Sequence, residues 1–195
     1  MQRRNYKSWK GLKKQLEERL CAKMQDRIEY TYASFRNIHE SREVKILFDK
    51  KDLLVFTSGK NDSYMGDDID QKIFKFNDRP LGYDEDADFL CAATNFLNMD
   101  IEVALSGDYH SQNLKAFPSN SDCINGYKTN NFYDYIEKQN ISDIVKVFAI
   151  LDKRVGKRTL LKLIETKVYE SYPKWLLPIF ELRCEVEGID FERKN

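Results

Sequence analysis

Arg27-Ile28-Glu29-Tyr30-Thr31-Tyr32-Ala33 is where the periodicity of the chain changes, and that change decides the fold. Ile28, Tyr30 and Tyr32 fall on one face and Glu29, Thr31 and Ala33 on the other, the period of two that belongs to a half-buried strand. Val44, Ile46 and Phe48 repeat the alternation ahead of Asp49-Lys50-Lys51-Asp52, which reads as a polar four-residue turn, and Leu53 to Thr57 supplies a third apolar run. Three strands in a meander predict an antiparallel sheet with one dry and one wet face. Such a sheet needs a second layer to cover the dry side.

The element nearest to hand lies just upstream. Trp9, Leu12, Leu16, Leu20 and Met24 recur at intervals of three and four, while Lys10, Lys13, Lys14, Glu17, Glu18 and Lys23 fill the other faces. This is an amphipathic helix, with Ser8 placed to cap it. Its apolar stripe is wide enough to pack on a sheet, so the helix is expected to be structural rather than an arm for a membrane or a phosphate backbone.

Downstream, Ser58 to Asp70 is polar and reads as a loop, Lys72 to Phe76 as a fourth strand, and Arg79-Pro80-Leu81-Gly82 as a turn. Asp84, Glu85, Asp86 and Asp88 precede Phe89, Leu90, Ala93, Phe96 and Leu97, because acids favour the positive end of a helix; a short helix follows from Asp100 through Ile101 and Leu105. After a stretch rich in Ser, Asn and Gly, helices are expected at Phe132 to Lys138, at Asp143 to Leu151 capped by Ser142, at Lys157 to Val168, and at Trp175 to Glu187 with Gly188 as its stop. The expected fold is α+β: an N-terminal helix packed on an antiparallel β-meander of three to four strands, followed by a mostly helical C-terminal half. Residues 1–106 form the α+β subregion, 107–130 the connecting loop and 131–195 the helical subregion, together one compact unit.

Composition narrows the function classes. A chain of 195 residues with 42% hydrophobic residues, 8 Gly and 4 Pro is globular rather than fibrous or disordered. Lys plus Arg and Asp plus Glu both total 32, so no whole-chain charge drives binding to nucleic acid or an anionic membrane. No segment approaches the length of a membrane span, and Met1 to Lys7 leads into a charged helix rather than a signal peptide's apolar run, which predicts a cytoplasmic protein. Cys21, Cys91, Cys123 and Cys184 lie dozens of residues apart without a C-x-x-C pair, and His39 and His110 are the only histidines, so reduced thiols, no metal and no cofactor are expected.

Charge is unevenly distributed. Residues 1–27 hold 9 basic and 3 acidic side chains, whereas residues 61–110 hold 3 and 12. The two stretches either pair with each other and with water, or the acidic one docks a basic partner. Within it, Asn61 to Asp70 superficially resembles a calcium loop, but aligning Gly66 with the required glycine puts Met65 at a ligand position and Lys72 where a bidentate glutamate belongs.

The most distinctive segment is Leu151-Asp152-Lys153-Arg154-Val155-Gly156-Lys157-Arg158-Thr159-Leu160. A phosphate loop would need glycine where Leu151 stands and Ser or Thr where Arg158 stands. The segment instead predicts a helix stop at Gly156, a new helix after it, and an ion pair across the turn from Asp152 to Arg154 or Arg158. Phe148 to Leu160, with Tyr172-Pro173 and Phe180 to Gly188, resembles an uncharacterised family of bacterial cytoplasmic proteins. Trp9 to Leu16, Asp88-Phe89 through Phe96-Leu97-Asn98-Met99, and Ile101 to Ser106 fit the same family, which carries an arginine where this chain has Lys153. The resemblance implies bacterial origin and a shared fold; it brings no reaction, cofactor or catalytic residue with it.

Two functional expectations follow. The first is a non-enzymatic protein-binding module, an adaptor or immunity-type protein, whose acidic surface takes a basic protein partner. The second is an enzyme or nucleic-acid-associated factor that holds phosphate or carboxylate through the cations Arg154, Lys157, Arg158 and Arg183 near two helix ends, with Asp152 a further candidate binding residue beside them.

Overall fold

In a computed structural model, residues 9–34, 42–58, 75–76, 79–80, 85–107 and 141–191 are described. Helix α1 (Trp9–Arg19) leads into a meander of β1 (Ile28–Ser34), β2 (Arg42–Phe48) and β3 (Lys51–Ser58), and a two-stranded ribbon joins β4 (Lys75–Phe76) to β5 (Arg79–Pro80). Then come α2 (Glu85–Phe96), α3 (Ile101–Ser106), α4 (Ile141–Leu151), α5 (Lys157–Glu165), a 3₁₀ turn (Val168–Ser171) and α6 (Leu177–Val186). The fold is α+β, as the change of period requires. Among the described residues, no helix is long and apolar enough to cross a membrane.

The sheet order is β1-β2-β3 with both pairs antiparallel. Register sets Tyr30 opposite Ile46, Ile46 opposite Leu54 and Val44 opposite Phe56, and these side chains form the dry face, all at 1% exposure or less. The β2–β3 turn is tighter than the four residues expected, because Lys51 already pairs with Phe48. Only Asp49 and Lys50 remain to reverse the chain, both left-handed at φ 48° and 65°, a conformation suited to the twist of a two-residue hairpin but disfavoured for non-glycine residues. Arg27 holds them there: its Nε and Nη2 donate to the Asp49 carboxylate at 2.9 and 2.5 Å, while its carbonyl accepts the Asp49 amide at 2.8 Å.

Of the fourth strand expected at Lys72 to Phe76, the described residues Lys75 and Phe76 are strand, but they do not extend the meander; residues 72–74 lie outside the described residues. Lys75 and Phe76 pair with Pro80 and Arg79 in the separate ribbon, so Arg79-Pro80 is strand rather than turn. Ser8, Asn61 to Asp70, Phe132 to Lys138 and both histidines lie outside the described residues.

Helix α4 is buried nearly all round, from Ile144 and Val145 through Phe148 to Leu151, and is therefore a central core helix rather than an amphipathic surface one. It packs against α2, α3 and α6, while α2 also packs on β3 and α1 on β1. Phe148 joins the helical layer to the sheet: its ring centroid lies 5.2 Å from Phe89, 5.6 Å from Phe96 and 6.2 Å from Tyr30. One continuous cluster of buried residues runs from Leu12 of α1 to Ile189 beyond α6.

Several helix ends differ from expectation. Ser142 lies inside the first turn of α4 instead of capping it, and α5 stops at Glu165 because Lys167 is left-handed at φ 57°. Helix α6 begins at Leu177 with Pro178 in its first turn, where its missing amide leaves no helical bond unmade, and ends at Val186, with the left-handed Gly188, φ 66°, just beyond it and the Ile189 amide donating to the Cys184 carbonyl. The first helix stops at Arg19, so Leu20 and Met24 are buried from the following turn rather than from the helix.

Leu12 and Leu16 are fully buried on α1, whereas Trp9 is half-buried at its start, its ring 5.6 Å from Tyr32. Leu16→Ala should therefore destabilise the fold by about 3 kcal/mol and Trp9→Ala by about 2, since part of the indole stays in water. Lys14, 76% exposed, should tolerate Lys14→Glu within about 0.5 kcal/mol. Urea unfolding of the three variants measures the order.

Candidate functional site

The charged turn between α4 and α5 is built by the need to satisfy helix ends. The last carbonyls of α1 have no partner inside their own helix, and the chain beyond α4 supplies donors: the Lys153 amide to the Arg19 carbonyl at 2.7 Å, and Lys153 Nζ to the Glu18 carbonyl at 2.9 Å. In return the Leu151 carbonyl at the end of α4 accepts the Cys21 amide at 3.1 Å, and Leu20 and Asp152 form an antiparallel bridge. This exchange ends α1 at Arg19 and α4 at Leu151. Gly156 is thus not the helix stop: it sits extended, at φ −89° and ψ 177°, as the residue that starts α5.

Asp152 has a fully buried side chain, and Arg154 supplies its counter-charge. Oδ1 accepts the Arg154 amide at 2.7 Å and Nε at 3.0 Å, and Oδ2 accepts Nη2 at 2.9 Å. The remaining face of that guanidinium donates through Nη1 to the Met99 carbonyl at 3.2 Å and lies 5.5 Å from the centre of the Phe96 ring. Of the two partners open to Asp152, the geometry selects Arg154. Arg158 is exposed on α5.

Arg183, 1% exposed, approaches the same turn from α6. Its Nε donates to the Ile150 carbonyl at 3.0 Å and Nη2 to the Val155 carbonyl at 2.6 Å, one on either side of Asp152, while Nη1 donates to Glu187 one turn along the helix. The other oxygen of Glu187 accepts Lys23 Nζ at 3.0 Å, and Lys23 also reaches the Val186 carbonyl at 3.2 Å. Lys157 Nζ donates to the Gly188 carbonyl at 3.1 Å, so it serves the C-terminal end of α6 rather than an open cleft.

The turn thus gathers Asp152, Arg154, Lys157 and Arg183, while Arg158 stands apart. Lys23, Lys153 and Glu187 complete the network, and the sequence marks none of them as a site residue. The i,i+4 spacing of Arg183 and Glu187 is a legible signal; Lys23, which lies 164 residues from Glu187, gives none.

The electrostatics are those of a closed scaffold. Hydrogen bonding to Arg183 is the largest influence on Glu187 and holds its carboxyl below the usual range, with Lys23 adding to the effect. Burial pushes the Cys184 thiol up to about 11, which leaves no thiolate at neutral pH. Burial likewise raises Tyr30, and it pushes Tyr172 up to about 12. Cys21 and Cys184 are both buried free thiols. Among the described residues, no group of three or more His, Cys, Asp or Glu side chains is placed to hold a metal ion.

A helix-and-meander α+β protein whose charged turn clamps four segments is the class that fold and site define. A family model described as the SF0329 protein family matches residues 8–117 and 112–184, and the chain belongs to that family. No curated protein matches the chain. No solved structure matches it either.

Two outcomes test this network. Asp152→Ala should cost about 3 to 5 kcal/mol, because it leaves the partly buried Arg154 without its carboxylate, while Arg158→Ala should cost less than about 0.5; urea midpoints compare them. Glu187, with a depressed folded pKa, contributes stability that is fully present above its unfolded value near 4.5 and is lost as pH falls through the lower folded value. Glu187→Gln should therefore flatten the acid limb of the stability profile below about pH 5, measured by melting temperature at constant ionic strength.

Proposed function

We propose that this chain is a non-enzymatic protein-binding module of the bacterial cytoplasm, an adaptor or an immunity-type protein, that offers an acidic surface to a basic protein partner. The observation that carries the reading is the segregation of charge along the sequence: residues 1–27 hold 9 basic and 3 acidic side chains, residues 61–110 hold 3 and 12. On the N-terminal side, Lys13 pairs with Glu17 and Glu29, Lys14 with Glu18, Lys23 with Glu187 and Arg27 with Asp49. A stretch with that excess of acidic side chains favours a partner with a positive surface.

The resemblance of the C-terminal segments supports a bacterial origin, and the widely spaced cysteines, two of them buried thiols, support a reducing compartment. The competing reading, an enzyme or nucleic-acid-associated factor built on Asp152, Arg154, Lys157, Arg158 and Arg183, has less support. Arg154 and Arg183 direct their guanidinium groups at acceptors of this chain, and Lys157 directs its ammonium at one too.

Affinity capture from the native bacterium, run in parallel with wild-type protein and an Asp84→Asn, Asp86→Asn, Asp88→Asn variant, tests the proposal. Wild type should retain a basic protein that raised salt releases, and the variant, with an unchanged melting temperature, should retain it about tenfold less. Equal recovery by both proteins, or nothing above background with wild type, would contradict it. Retention on random DNA or RNA that falls steeply with salt would transfer support to the cationic turn.

A further inference from the structure

We draw no further inference here: the strongest candidate, the cleft of about 430 Å³ beside the end of α6 where Glu181, Glu185 and Asp190 adjoin Ile189 and Phe191, is a cluster of carboxylates for which no second feature among the described residues points to a ligand.

Discussion

A guanidinium buried to 1% exposure has to be met by acceptors, and those that meet Arg183 fix the architecture around them. The carbonyls of Ile150 and Val155 belong to the two limbs of the turn between α4 and α5, so one rigid fork holds that turn closed from the side of α6. Within the closed turn, Asp152 is sealed from water and takes its counter-charge from Arg154, which in turn reaches back to the end of the α2 segment at Met99. On the other side, Lys153 and Leu151 exchange backbone bonds with Arg19 and Cys21. Four stretches of chain far apart in sequence thereby share one polar junction, surrounded by Phe96, Leu20, Val155 and Cys184 of the core.

Buried charge of this kind is a demanding way to join elements. Each ion gives up its hydration, and the return depends on geometry that leaves no donor or acceptor unmet. Its advantage here is directional. Packing of Leu12, Leu16 and Met24 alone would hold α1 near the sheet, but a bridge from Leu20 to Asp152 specifies where the helix ends and which way the chain turns toward β1.

What could be read in the sequence was whatever repeats locally. The alternation from Ile28 to Tyr32 and the stripe from Leu12 to Leu16 are set by which side chains face the core, and the structure buries Ile28, Tyr30, Leu12 and Leu16 accordingly. Endings were harder, because they are decided by partners. The stripe continues through Leu20 and Met24 and so conceals a helix that stops at Arg19, where a donor arrives from residue 153. Gly156 looks like a stop, yet the backbone is already out of the helix after Leu151. At the candidate site the ionic nature of the Asp152 segment was legible and its inward orientation was not, since charge in a sequence carries no sign of whether it will be buried. The lysine at position 23 could be recognised only once its neighbour across the fold was known.

If the charged turn is the fastening of the fold, the protein-binding role proposed above is assigned to other side chains, those of the acid-rich stretch 61–110. The most direct test of the fastening is native-state hydrogen exchange at the Cys21 and Lys153 amides, which make the bonds between α1 and the α4–α5 turn. Their opening free energies should equal those of the central strand β2 within about 1 kcal/mol, because the junction opens only when the whole molecule does. Exchange at these two amides by a local opening several kcal/mol cheaper, with β2 still protected, would show that the turn is an accessory to the core and not what holds it together.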